Sequence, residues 1–285
     1  MKEFTFIETQ KQLKEMCDEL SEEDCIAVDL ECENNLHYYG SYISLIQISS
    51  KKDNWIVDVL TLKEIAPLIE VLTNHKIQKV FHDIGFDFRI LNSQFNCRPQ
   101  HIFDTQVAAI FLGMTELGLG ALLEKFFDIY KEKKFQMADW TKRPLTEDML
   151  SYAIGDTVQL LALKKLLESK LKEKDRLPWV EEEMREIEKK DLTYQEGTFM
   201  GAKGFKSLTP TQRSIFKNLF LVRDELAKKV NRPVHYIIST KRLLEISCKR
   251  KMDKSFWENI KQVHPIVRKQ AYKFFAAFNK GLKEK

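Results

Sequence analysis

The sequence predicts an α/β domain with a mixed central sheet, followed by a smaller domain made only of helices. Three observations carry this. Segments that alternate apolar and polar residues lie early in the chain, and segments of helical period dominate later. Charge is divided: residues 207–285 hold 19 Lys and Arg against 6 Asp and Glu, a net of +13, whereas residues 1–206 hold 27 against 36, a net of −9. Between the halves, ESKLKEKDRLPWVEEEMREIEKK (168–190) is charged enough to read as a solvated helical connector. The expected boundaries are 1–190 for the α/β domain, 191–207 for a linker and 208–285 for the helical domain.

Each element follows from a local pattern. Thr9 is an N-cap, and residues 10–20 place Leu13, Met16, Cys17 and Leu20 on one helical face. In residues 25–32, Ile26, Val28 and Leu30 alternate with Ala27, Asp29 and Glu31, which marks a strand. Strands follow at 43–50 (ISLIQISS) and 54–59 (NWIVDV), with KKD as the turn between them. Residues 62–72 are helical by period, although Pro67 is tolerated only in a first turn or at a kink. A strand at 77–81, a helix at 84–94 and a strand at 101–103 come next, then helices at 105–112 and 119–127. After a polar connection around KEKKFQ, Thr146 caps a long helix expected over 147–170. Beyond Leu208 the helices are 211–230, 241–247, 255–260 and 265–279.

Composition excludes several classes. No apolar run approaches the roughly 20 residues that span a bilayer, and the opening MKEFTFIETQKQ is not a signal peptide. Five scattered cysteines form neither a disulfide framework nor a CxxC metal motif, which favours a reducing, cytoplasmic setting. A basic helical domain in a chain of overall charge +4 suggests a polyanionic partner.

Chemistry concentrates in a few acids. Asp29 and Glu31 project from one side of their strand, about 6.5–7 Å apart along the chain. Like charges so placed either share a divalent cation through oxygen ligands or belong to the solvated face of an edge strand. In KVFHDIGFDFRIL a strand runs into a helix with Asp87 near its start, where the helix dipole favours a carboxylate. In LSYAIGDTVQLLAL, Tyr152 and Asp156 are spaced i, i+4 and share a face of a largely apolar helix, where a buried aspartate needs a partner.

Taken in order, DxE on a strand, Asp after a second strand and YxxxD on a later helix resemble the DEDD superfamily of 3′–5′ exonucleases, in its tyrosine subgroup. The blocks AVDLE…YISLIQIS, KVFHDIGFDFRIL, IFDTQVAAIFLG and FQMADWTKRPLTEDMLSYAIGDTVQLL, spanning roughly residues 25–165, are most similar to the ribonuclease D family. LTPTQRSIFKNLFLVRDELAKKVNRPVHYIISTKRLLEIS resembles the HRDC-like helical domain that this family shares with RecQ-type helicases. Many bacterial members carry two such domains, and this chain has room for one.

The resemblance implies a ribonuclease H-like exonuclease fold and a metal-dependent 3′–5′ exoribonuclease acting on RNA with a free 3′ end, such as tRNA precursors. It implies two divalent ions, Mg²⁺ or Mn²⁺, held by Asp29, Glu31, Asp87 and Asp156. Asp29 would bridge the two ions, Asp87 would act through water, and Tyr152 would orient the attacking water. Gln47, His82, Phe86, Lys134 and Arg143 are candidate nucleic-acid contacts, and Asp104, Asp139 and Trp140 stand in or beside the motif blocks. The expected state is a cytoplasmic monomer. The alternatives are a DNA exonuclease of the same superfamily and a catalytically silent nucleic-acid binder.

Overall fold

The computed structural model describes residues 3–190 and 198–284. Two compact units form: 1–33 with 42–194, and 34–41 with 195–285. Part of the expected linker, 191–197, lies outside the described residues; 198–207 carries two 3₁₀ turns, Phe199–Gly201 and Phe205–Ser207.

The first unit is built on a six-stranded sheet. Its strands are β1 (Thr5–Ile7), β2 (Cys25–Asn34), β3 (Ser41–Ser49), β4 (Asn54–Asp58), β5 (Gln78–Phe81) and β6 (Ile102–Asp104), in the order β1-β4-β3-β2-β5-β6. The sheet is mixed: β4 runs antiparallel to β3, while β1/β4, β2/β5 and β5/β6 are parallel. Strand β2 is therefore interior, between β3 and β5. This removes the edge-strand reading of Asp29 and Glu31. The three-residue β1 was not foreseen; it is defined by its parallel pairing with β4, a contact about 50 residues away in the chain.

The helices pack where their apolar stripes point. Helix α1 (Gln10–Leu20) starts with a full capping box between Thr9 and Gln12 and buries Leu13, Met16, Cys17 and Leu20. Two helices follow, α2 (Val59–Leu62) and α3 (Ala66–Thr73), with Pro67 in the first turn of α3. Then come α4 (Gly85–Phe95), α5 (Thr105–Phe111) and α6 (Leu119–Phe127). One large core gathers Ile26, Val28, Ile46, Ile48, Phe81 and Phe88. A smaller cluster joins Leu45 and Ile56 of the sheet to Trp140, Ala153 and Ile154.

Two expectations are corrected in this unit. The long helix of 147–170 is two helices, α7 (Glu147–Ile154) and α8 (Leu160–Glu173). Gly155 caps α7, the amides of Asp156 and Thr157 turn to the carbonyls of Ala153 and Ile154, and buried Thr157 Oγ1 meets Ser49 Oγ at 2.7 Å. The helix breaks because the sheet holds that threonine. The charged connector is not merely solvated: its helix α9 (Leu177–Lys189) buries Val180 and Met184 in the main core. Its Glu188 accepts the Ile102 amide at 2.8 Å, which closes the β6 edge of the sheet.

The second unit is helical: α10 (Pro210–Val230), α11 (Val234–Ile237), α12 (Thr240–Ser247), α13 (Lys254–Asn259), α14 (Pro265–Lys269) and α15 (Ala271–Lys283). The helix expected at 265–279 is interrupted at Gln270. Trp257 stacks on Phe274 at 4.9 Å in the core, and α15 crosses α10 at Gly281. Among the described residues, no helix is long and apolar enough to cross a membrane.

Candidate active site

Three elements bring the acids together. Strand β2 presents Asp29 and Glu31, the turn after α7 presents Asp156, and the first turn of α4 presents Asp87. Asp29, Glu31 and Asp156 each offer an oxygen within 4.8 Å of the other two. Asp87 is outside that trio, yet close enough for the negative charge of Asp29 to act on it.

Electrostatics report how crowded this is. Burial pushes Asp29 up to about 6, opposed by the positive charge of Lys131. Burial and then Asp29 raise Glu31 well above the carboxylate range, and burial, Asp29 and Asp83 do the same to Asp87. A cluster of this kind is stable only with compensating positive charge.

Part of that charge comes from a lysine the motifs do not contain. Lys131, in the connection between α6 and α7, pairs its Nζ with Asp156 Oδ1 and lies 4.6 Å from the centre of the Tyr152 ring. A cation already held there shows that the cage accepts positive charge, and its all-oxygen donor set suits a hard divalent ion. The residues therefore fit the expected metal.

Tyr152 is set in an aromatic frame, 5.6 Å from Phe135 and 6.1 Å from Trp140. Burial and the nearby carboxylates push its phenol up to about 12. It stays protonated near neutral pH, which suits the phenol to hydrogen bonding and not to proton abstraction. A cleft of about 460 Å³ opens beside it, lined by Tyr130, Lys131, Lys134, Phe135, Asp148 and Gln159 among others. Asp29, Glu31 and Asp87 are not among its walls.

Asp104 supports the site from behind. It accepts the backbone amides of Asp83 (3.0 Å) and Ile84 (2.9 Å) while capping α5 through Gln106 (2.7 Å). Asp83 is in the left-handed region (φ 58°), so the turn that feeds α4 and Asp87 is fixed by this carboxylate.

The candidate nucleic-acid contacts divide. Lys134 is exposed, faces Asp148 at 3.4 Å and borders the cleft. Phe86 is half-buried against the main core. His82 bonds Thr105 Oγ1 at 2.9 Å, and burial drives its pKa down to about 4, so it offers no positive charge to phosphate. One candidate is corrected, and another is engaged by the protein's own groups. Gln47 is wholly buried in β3 and presents no surface. Arg143 forms a two-pronged pair with Asp58, at 2.6 and 2.7 Å, and also donates to the carbonyls of Trp140 and Lys142. Its guanidinium is engaged by these partners, while its side chain remains 28% exposed.

Comparison with known proteins agrees with the geometry. Residues 4–172 match the family described as 3′–5′ exonuclease, and residues 212–277 match the HRDC domain. Ribonuclease D of Desulfotalea psychrophila is 29% identical over 255 residues, covering 88% of this chain and 68% of that protein. Exosome complex exonuclease RRP6 of Saccharomyces cerevisiae is 35% identical over 207 residues, covering 72% of this chain but only 27% of the yeast protein. Among solved structures, the catalytic core of RRP6 from Trypanosoma brucei superposes with a TM-score of 0.84 at 26% identity, covering 98% of this chain and 80% of that one.

Proposed function

This chain belongs to the 3′–5′ exonuclease family, and from that premise we propose that it removes nucleotides from the free 3′ end of RNA, with tRNA precursors and other stable RNAs as substrates. The observation that carries the reading is the convergence of Asp29, Glu31 and Asp156, from two distant parts of the chain, on a common set of oxygen positions. The RNA assignment draws on the names of the curated relatives, ribonuclease D and the exosome exonuclease. In this reading the protein acts as a cytoplasmic monomer.

The site residues divide the work. Asp29, Glu31 and Asp156 would hold one divalent ion, Mg²⁺ or Mn²⁺, and Asp29 with Asp87 would serve a second. Bound there, the ions would supply Lewis-acid stabilisation of the charge that builds on phosphate and leaving oxygen. Tyr152 would hydrogen-bond the attacking water through its phenol, keeping its own proton, and so fix the water's direction, a role suited to a group protonated up to about pH 12. Asp104 keeps Asp87 in place through the β5–α4 turn. Lys134 and Tyr130, on the wall of the cleft, meet the strand that leads to the reacting phosphate.

The decisive experiment is digestion of matched RNAs ending in a free 3′-hydroxyl, a blocked 3′ end or a closed circle. Only the first is shortened, one nucleotide at a time, in the presence of Mg²⁺ or Mn²⁺. Cutting of the circle would overturn the exonuclease reading, and faster loss of a matched DNA strand would overturn the RNA assignment. Asp29→Asn should abolish hydrolysis and keep RNA binding. Tyr152→Phe should lower kcat by about a hundredfold with little change in KM.

A further inference from the structure

The connection between α6 and α7 carries three lysines within four residues, Lys131, Lys133 and Lys134. Lys133 and Lys134 are exposed, as a solvated basic run should be. Lys131 is turned the other way. Its side chain is 18% exposed, its Nζ pairs with Asp156 Oδ1, and Asp156 itself is 11% exposed. Flanking residues fix the inversion. Asp128 ends α6 in the left-handed conformation (φ 56°), Ile129 packs on the main core, and Tyr130 stays outside at 74% exposure.

Lys131 thus stands between the open cleft, of which it is a wall, and the buried acids. Its charge acts on Asp29 and Glu31 as well as on Asp156. These are the three carboxylates whose oxygens come within 4.8 Å of one another. A hard dication and an ammonium ask for the same lone pairs, and Asp156 Oδ1 cannot serve both at full strength.

We propose that Lys131 is a tethered counter-cation of the carboxylate cage, which the first divalent ion must displace, so that metal loading withdraws the Lys131 side chain from the acids. The inference rests on the metal site proposed above. Loading then depends on the fraction of molecules in which Lys131 has left, and apparent metal affinity is reduced by that fraction. Emptying the site brings the ammonium back and keeps the acids compensated. The same withdrawal opens the way from the cleft to the acids.

Two measurements on the full chain test this. Calorimetric titration with MnCl₂ should show Lys131→Met binding at least about tenfold more tightly than the unaltered protein, while Lys133→Met, which loses an exposed lysine of the same run, changes affinity less than twofold. In the unaltered protein, acetylation of Lys131 by a water-soluble N-hydroxysuccinimide ester should be slow in EDTA and at least about tenfold faster in saturating Mn²⁺, with Lys133 and Lys134 as constant references. The footprint requires no variant to fold. If Mn²⁺ binds both proteins equally, or if Lys131 stays protected when Mn²⁺ is bound, the counter-cation proposal is wrong and the metal site stands. If neither protein binds Mn²⁺, the metal-site reading itself fails, and this proposal with it.

Discussion

Arg143 directs its donors inward. Burial alone would raise Asp58, but the hydrogen bond and charge of Arg143 outweigh it and hold the carboxyl below the usual aspartate range. The same guanidinium fastens the Trp140 carbonyl, and Trp140 in turn frames Tyr152. Arg143→Met leaves Asp58 buried without its partner, at a cost of about 3–5 kcal/mol. Thermal melting at pH 7 should show Tm lower by roughly 6 °C or more. Because the folded-state pKa of Asp58 is depressed, the stabilisation is complete above the ordinary aspartate value and disappears as the pH falls through the folded one. Melts repeated in acid should therefore bring the two proteins together, and a constant gap would mean that Arg143 acts through packing instead.

Among the helices, the crossing of α10 and α15 depends on a missing side chain. A Cβ on Gly281 would lie 2.4 Å from Ile215 Cα, a backbone atom that cannot step aside. Helix propensity alone says that Gly281→Ala gains about 1 kcal/mol. The clash reverses the sign, and we expect a net loss of about 1–3 kcal/mol by urea denaturation. Such features explain what sequence could and could not reveal. The DxE pair on β2, Asp87 at the start of α4 and the caps at Thr9 and Thr146 are local patterns, so periodicity and spacing exposed them. The break at Gly155 depends on Thr157 meeting Ser49 across the sheet, and no local rule contains that contact. Lys131 was hidden for a similar reason: inside KEKK it reads as solvent-facing, and only the packing of Ile129 and the pull of Asp156 turn it inward. Gln47 failed as a surface candidate because burial is not a property of a single position, and the pairing of Arg143 with Asp58 is a contact across 85 residues that no local pattern contains.

Across the molecule, acid and base are kept apart. Residues 1–206 carry a net −9 and residues 207–285 a net +13. In the proposed function, the HRDC domain would bring the cations for a phosphate backbone, and the exonuclease unit would bring the cage. Lys249, Arg250 and Lys251 form an exposed run between α12 and α13. Replacing all three by alanine should flatten the plot of log affinity against log salt by about 0.7 for each one that meets single-stranded RNA. Cleavage at saturating RNA should be unaffected. An unchanged slope would assign this run to something other than phosphate.

The wide spacing of the acids along the polypeptide has a consequence during synthesis. Asp29 and Glu31 leave the ribosome early, Asp87 later, and Asp156 only when most of the first unit has been made. Because strand pairing must also close the interior of the sheet before these groups meet, a nascent chain that has not yet released Asp156 holds an incomplete cage. The four acids therefore become a single site only after the sheet has closed around β2.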